Sequence, residues 1–287
     1  MLDKTPIQLQ MKSSETSSCP REIRFLTTNT PSDSYGIHSH HFYEIYYFVS
    51  GNADYMVEGK EYHLTPHSLI LLSPNSFHGV RVNTAEDYVR CSVHFPAEDV
   101  SAERRQLLLG SFPEAARGSA REIFFEHTED FGLHPFLKNL IASQDAPALP
   151  HDRYYTIFLE ALLAQISLLC QDLTPTAPKL IVPNTITELI AYLNEHLSEH
   201  ITLDSLAEHF YISKYYMNRS FKKATGTTVI DYLIYKRVIF ARQLILNGVS
   251  AENAAFDSGF SEYSTFYRAY KRVLGCSPTK PQPNDTL

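Results

Sequence analysis

Five residues near the end of the chain recur at one fixed interval. Met217, Arg219, Phe221, Lys222 and Gly226 are matched by Phe266, Arg268, Tyr270, Lys271 and Gly275, every pair 49 residues apart. Both sets alternate an apolar residue for burial with a cation for solvent. Both stop at glycine, which closes helices in the left-handed conformation. Self-similarity at a fixed period marks a duplicated supersecondary unit, and ordinary core spacing does not produce it. The repeat commits residues 184–287 to an all-helical fold made of two copies of a capped helix, a turn and a basic-aromatic helix.

In the first copy Thr202 precedes Leu203-Asp204-Ser205-Leu206-Ala207, an N-cap hydroxyl with an acid in the first turn. A short turn at Tyr211-Ile212 leads to Ser213 as the next N-cap, and the helix from Lys214 stops at Thr225-Gly226. In the second copy Ser250 stands ahead of Glu252, and Ser261 after Gly259-Phe260 is the expected second cap. With Met217 and Phe221 turned inward, Tyr215, Asn218, Arg219 and Lys222 share the outer face. An amide, a guanidinium and an amine are the groups that read base edges and hold phosphates. One such face is what any solvated helix presents; two at a fixed interval favour double-stranded DNA. Between the copies, Val229–Asn247 has no Gly or Pro. A helix of that length is roughly 28 Å long and can hold two recognition helices about one DNA turn, ~34 Å, apart.

Charge confines that role to one part of the chain. The net charge is −7, yet residues 1–182 carry 14 Lys+Arg against 22 Asp+Glu while residues 183–287 carry 11 against 10. Four cysteines (Cys19, Cys91, Cys170 and Cys276) lie far apart, a pattern of reduced cytoplasmic thiols rather than of disulfides or a zinc knuckle. The first residues hold no secretory apolar run. The longest apolar stretch, Ile157 to Cys170, contains Glu160 and Gln165 and is too short to span a bilayer.

Residues 36–95 alternate apolar and polar side chains in short runs rich in Tyr, Val, Phe and Ile. Turn signals fall at Ser50-Gly51-Asn52, Glu58-Gly59-Lys60, Thr65-Pro66 and Ser73-Pro74-Asn75. This spacing predicts an antiparallel barrel or sandwich. From about Ser101 the period becomes helical, ending in an amphipathic stretch from about Asp152 to Gln171. Tyr155, Phe158, Leu162 and Leu169 share a stripe there, joined by Ile166; it suits a buried surface helix or a dimerisation helix. Leu173–Pro183, with three prolines and no helical period, reads as a linker. The expected fold is α+β in two domains: residues 1–172 with a β-barrel and flanking helices (about 101–172), a linker at 173–183, and a helical domain at 184–287.

The segments LDSLAEHFYIS and KYYMNRSFKKATG (203–226), DYLIYKRVIFARQLIL (231–246) and GFSEYSTFYRAYKRVLGCSP (259–278) closely resemble the AraC/XylS transcription regulators. The resemblance covers about the last hundred residues. It implies sequence-specific DNA binding through both recognition helices, promoter activation with RNA polymerase, and a homodimer. Base contacts are implied at Tyr215, Asn218 and Arg219 and at Tyr263, Tyr267 and Arg268. Ser213 and Glu262 stand at the two helix starts, and Lys222 and Lys271 are placed for phosphates. The chain departs from the family at Ala251 and Ala254, usually Ile, and at Ser258, usually Val, which predicts a thinner core under the second recognition helix.

His38-Ser39-His40, Glu44 and Gly51 match the first cupin motif in order and spacing, and Gly59, Pro66, Pro74-Asn75 and His78 resemble a loose second one. The likeness implies a cupin-like barrel as the effector domain, with residues 1–30 as an arm. Along an alternating strand His38, His40, Phe42, Glu44, Tyr46 and Phe48 share one face. His38, His40, Glu44, Tyr46 and His78 are thus the expected effector contacts. No cofactor is required by such a pocket, whose ligand is a small polar molecule such as a sugar. Many cupins hold Fe, Mn or Zn with three histidines and one carboxylate, here His38, His40, Glu44 and His78. His41, His63, His67 and His94 are read as surface or loop residues. Two functions follow: an effector-responsive activator, cytoplasmic and not an enzyme, or a metal-dependent cupin enzyme with an accessory helical domain.

Overall fold

The computed structural model describes residues 23–32, 35–113, 123–144, 151–177 and 184–279. They divide between two compact units, residues 19–181 and residues 182–287. The first unit contains β1 (Ile23–Thr28), β2 (Tyr43–Ser50), β3 (Ala53–Val57), β4 (Lys60–His63), β5 (Ser68–Leu72), β6 (His78–Val82), β7 (Tyr88–Phe95) and β8 (Phe124–Phe125). Its helices are α1 (Arg105–Leu108), α2 (Leu133–Gln144) and α3 (His151–Asp172). All strand pairs are antiparallel, in a five-stranded sheet ordered β1-β7-β2-β5-β8 and a three-stranded sheet ordered β4-β3-β6. Among the described residues the strands make two sheets rather than one closed barrel, and an isolated bridge pairs His38 with His78 of β6.

Strand β2 explains the layering. Successive side chains point to opposite faces, so Ile45 and Tyr47 meet the helices while Tyr46 and Phe48 meet the second sheet. On the helical side Ile45, Tyr47, Leu69, Leu71 and Val93 pack with Leu137 and Leu140 of α2 and Leu159, Leu162 and Ile166 of α3. On the other side Tyr46, Phe48, Ile70, Tyr88 and Phe124 pack with Tyr55 and Val57. Both faces of β2 are buried, as its nearly continuous apolar run requires.

Several expectations change here. Residues 23–28, within the expected arm of residues 1–30, form edge strand β1 along β7, while residues 1–22 lie outside the described residues. The helical stretch from Ser101 is broken by β8, a two-residue strand too short to register in the sequence pattern. The start of the expected linker is held on the first unit: Thr176 N–H donates to Phe124 O at 2.8 Å, and its hydroxyl donates to Glu126 at 2.7 Å. Residues 178–183 lie outside the described residues. The stripe on α3 is internal core, with Tyr155, Leu162, Ile166 and Leu169 buried, whereas Tyr154, Ile157 and Leu168 are exposed. By length and composition Arg153–Asp172 passes the threshold for a membrane span, but that buried stripe packs it into the core.

The second unit contains α4 (Asn184–Glu195), α5 (Leu203–His209), α6 (Lys214–Thr225), α7 (Val229–Leu246), α8 (Ala251–Asp257) and α9 (Tyr263–Leu274). Thr202 caps α5 in a reciprocal box with Ser205, and the Ser213, Thr228 and Ser250 hydroxyls accept from Tyr216, Asp231 and Asn253 N–H groups. Gly226 and Gly275 end α6 and α9 at φ of 76° and 72°, the left-handed closure that the repeat predicts. Ser261 is not the cap of α9; Glu262 is, without a side-chain bond. The reason is one extra residue in the second turn. Helix α8 starts 48 residues after α5, whereas α9 starts 49 after α6.

The core under α9 is closed, not thin. Ala254 and Ser258 are fully buried, the serine hydroxyl donates to Ala255 O at 3.0 Å, and the ring of Phe266 packs 5.4 Å from that of Phe260 and 5.3 Å from that of Tyr270. Small residues in α8 leave space that aromatic rings fill. In the first unit, Leu162→Ala removes a fully buried side chain and should cost about 2–5 kcal/mol. Urea denaturation reads this as a lower midpoint at unchanged slope; an unshifted midpoint contradicts the packing.

Candidate nucleic-acid interface and effector site

Helices α6 and α9, the expected recognition helices, expose cations at matching positions. Met217 and Phe221, and their counterparts Phe266 and Tyr270, are buried. Arg219, Lys222, Arg268 and Lys271 are exposed. Tyr215 is 76% exposed and Tyr267 37%. Two further exposed cations obey the same interval, Lys223 and Arg272; they sit in the last turns, where cations also offset the helix dipole.

Other expected contacts carry structural duties. Asn218 is half-buried, and its Oδ1 accepts from Val229 N–H at 3.3 Å, fastening α6 to the start of α7. Ser213 is exposed but commits its hydroxyl to the cap. Tyr263 is half-buried against Phe266 with rings 5.7 Å apart. Arg268 Nε donates to Ser264 O at 3.3 Å along its own helix. Glu262 Oε2 accepts from the Ser264 hydroxyl at 3.4 Å.

In the first unit three imidazoles meet one carboxylate, with a fourth packed behind them. Glu44, on β2, is 4% exposed. Its Oε2 lies 3.0 Å from His40 Nε2 and 3.2 Å from His78 Nε2, and its Oε1 lies 3.3 Å from His94 Nε2. His38 completes the group, its ring 4.5 Å from that of His78. Phe42 stacks on His40 at 3.9 Å. Tyr46, another expected contact, packs 4.5 Å from Tyr55 with its hydroxyl buried and unpartnered. The sequence places His94 on the surface, yet β7 pairs Glu44 directly with His94. Alternation along β7 was its only available signal. His63 and His67 stand outside this site, on Asp54 at 2.8 Å and on the Tyr47 hydroxyl at 2.9 Å.

Electrostatics fix the protonation of this group. Burial pushes the Glu44 carboxyl up, but contacts from His40, His78 and His94 more than reverse this and hold it well below the usual carboxylate range. Burial lowers His40 to about 4 against the opposing pull of Glu44, and burial with the neighbouring His78 lowers His38. At neutral pH the acid is therefore ionised and His40 neutral. Nδ1 of His38, His40 and His78 faces the carbonyls of Gly36, Phe42 and Ser76 at 3.0, 3.1 and 2.9 Å. A carbonyl only accepts, so each Nδ1 is the donor in these bonds, and on the neutral His40 ring Nε2 keeps its lone pair. His40 then aims a lone pair at the carboxylate, and His78 Nε2 finds no aligned hydrogen-bond partner in the 1%-exposed interior. Such a donor set fits a divalent cation: neutral nitrogens, one carboxylate, and outer carbonyls fixing the tautomers. The donor atoms of His38, His40 and His78, and those of His40, Glu44 and His94, lie within 4.8 Å of one another.

A duplicated helix-turn-helix with exposed basic-aromatic faces, in one chain with a domain that has a buried polar site, defines a DNA-binding regulator with a separate ligand-binding domain. The family described as the AraC-like ligand binding domain matches residues 22–167, and one described as a helix-turn-helix domain matches residues 206–282. The chain belongs to the AraC family of transcription regulators. It is 27% identical to the HTH-type transcriptional regulator YbfI of Bacillus subtilis (strain 168), over 79% of each chain. It is 24% identical to the regulator YdiP of Escherichia coli (strain K12), over 91% of this chain and 85% of that one. Over 47% of each chain it is 31% identical to the HTH-type transcriptional activator RhaS of Salmonella schwarzengrund (strain CVM19633).

Asn218 and Arg219 should separate on substitution. Arg219→Ala should weaken binding to a cognate duplex by about 1–3 kcal/mol without changing stability. Asn218→Ala should in addition lower unfolding stability by about 1 kcal/mol through the lost bond to α7. Fluorescence anisotropy and chemical denaturation on both variants check this; identical profiles contradict the assignment.

Proposed function

We propose that this regulator is a cytoplasmic homodimer that activates transcription with RNA polymerase when a small polar ligand binds its first unit at a divalent-metal centre on Glu44. The carrying observation is the approach of His40 Nε2 to the Glu44 carboxylate at 3.0 Å with the His40 proton committed to Phe42 O. Two acceptors at that distance repel unless positive charge lies between them. A cation held by Glu44, His40 and His78, flanked by His38 and His94, relieves the repulsion. Imidazole and carboxylate donors suit Zn, Fe or Mn, and the metal when bound supplies a Lewis-acidic point for a hydroxyl or carboxylate of the ligand. Tyr46 offers an unpartnered hydroxyl for the ligand and, with Tyr55, ring faces of the kind that stack on sugars. The ligand class is therefore carbohydrate or a related polar acid.

On DNA, Tyr215, Arg219, Tyr267 and Arg268 take the base edges, and Lys222 and Lys271 the phosphates. Activation is supported by the likeness to RhaS, itself named an activator. The exposed Tyr154, Ile157 and Leu168 on α3 offer an apolar surface for a second copy. A ligand acts as a switch only by binding two states with different affinity, and the metal site supplies a contact that an ordered β2–β6–β7 arrangement makes and a loosened one loses. An enzyme reading leaves the duplicated DNA-facing helices without a purpose.

The full-length chain purified without chelator should carry close to stoichiometric divalent metal by elemental analysis. At a hundredfold excess of metal over its dissociation constant the stabilisation is about 2.7 kcal/mol, a melting shift of about 5–10 °C that chelation should abolish. His40→Ala should lose metal while keeping DNA binding in gel shift. No metal in the protein, and no melting shift with Zn, Mn or Fe(II), would overturn the metal centre and leave an organic ligand alone in the site.

A further inference from the structure

The two helix-turn-helix units share α7, and the middle of that helix holds a buried charge. Arg237 is 9% exposed. Its Nε donates to Leu197 O at 2.8 Å and its Nη2 to Glu199 O at 2.5 Å, both in the connection that leads from α4 into the first unit. A fork donating to two carbonyls is geometry that guanidinium provides and an ammonium does not.

The same connection touches the turn of the second unit. Ser198 donates its hydroxyl to Asp257 O at 2.7 Å. Gly259, in the α8–α9 turn, sits at φ +91°, and a Cβ there would strike Leu197 O and lie 2.9 Å from Arg237 Nε. Glycine is required twice over, for the left-handed backbone and for the close approach. Three contacts thus converge on one point: the lead-in to the first unit, the centre of α7 and the turn before α9.

Helix packing alone does not demand this junction. Phe221 packs on Tyr232 near the start of α7 with rings 5.3 Å apart. The second unit packs on its later part through Val238, Ala241, Phe266 and Tyr270. Each unit could therefore tilt about its own seat on α7. The junction removes that freedom.

We infer that Arg237, Gly259 and Ser198 form a clamp that fixes α9 relative to α6, so that the spacing between the two DNA half-sites is specified by this junction and not by the recognition faces. Arg237 is a positioning residue that need not touch DNA. A base pair inserted between half-sites rotates the second by about 34°, and a clamped pair of helices cannot follow it.

Selection of a random-sequence duplex pool on the full chain yields the two half-sites and their separation. Wild type should return one separation and discriminate against a one-base-pair insertion by about tenfold or more, the scale of a mismatched base pair. Arg237→Lys and Ser198→Ala should keep the same two half-site sequences but return several separations, with the discrimination ratio falling towards one. Ser198 is exposed, so its variant folds even where changes at Arg237 or Gly259 do not. Unchanged separation and discrimination in both variants overturns the clamp. So does an equal loss of affinity for every duplex, a single half-site included, because that is the mark of a purely structural role.

Discussion

A carboxylate that stays ionised inside a protein must be met by donors or cations at both oxygens, and Glu44 places that demand at the centre of the first unit. The groups against it come from three places, His40 from the chain entering β2, His78 from β6 and His94 from β7, with His38 bridged to His78 behind them. The strand that carries Glu44 also supplies Ile45 and Tyr47 to the helical core. A one-residue slip of β2 would drive the acid against α3 and turn Ile45 towards the histidines. The polar site and the apolar layers therefore specify the same register, and neither can be altered alone.

The second unit solves the opposite problem. Burial lowers the Arg237 pKa, as desolvation disfavours any cation, yet the group answers with backbone carbonyls where a carboxylate would be usual. Carbonyl dipoles are fixed by the chain, so they position a charge more rigidly than a side-chain partner with its own rotamers. The cost is dependence on one backbone path. A shift of the α4–α5 connection leaves the guanidinium buried and unmet, which is a severe penalty. That sensitivity suits a part whose duty is to hold an angle.

Legibility in the sequence follows the range of the interaction involved. Caps, closing glycines and hairpin turns are local, and Thr202, Ser213, Ser250, Gly226 and Gly275 all occupy their expected positions. The proximity of His38, His40 and Glu44 was also legible because one short segment carries them. His94 escaped because only strand register sets it opposite Glu44, and register is a long-range property. The second duty of Asn218, its bond to Val229, was illegible because it depends on how α7 departs from α6. Ser261 failed as a cap for a subtler reason: the repeat interval is 49 for the recognition helices but 48 for the helices before them, so the cap position moved by one.

The two helix-turn-helix copies are unequal in their turns although their exposed cations recur at one interval. Tyr211 and Gly259 hold the same place in their turns, both with positive φ, at 54° and 91°. Tyr211 is 94% exposed and bears a left-handed conformation that costs a non-glycine residue about 1–2 kcal/mol. Nothing close-packed demands glycine there. Gly259 lies against Leu197 and Arg237, where no side chain fits. The first turn is therefore tolerant and the second constrained. Small residues in α8 predicted a thinner core under α9, but the aromatic cluster fills that core, and the α4–α5 connection lies against its turn.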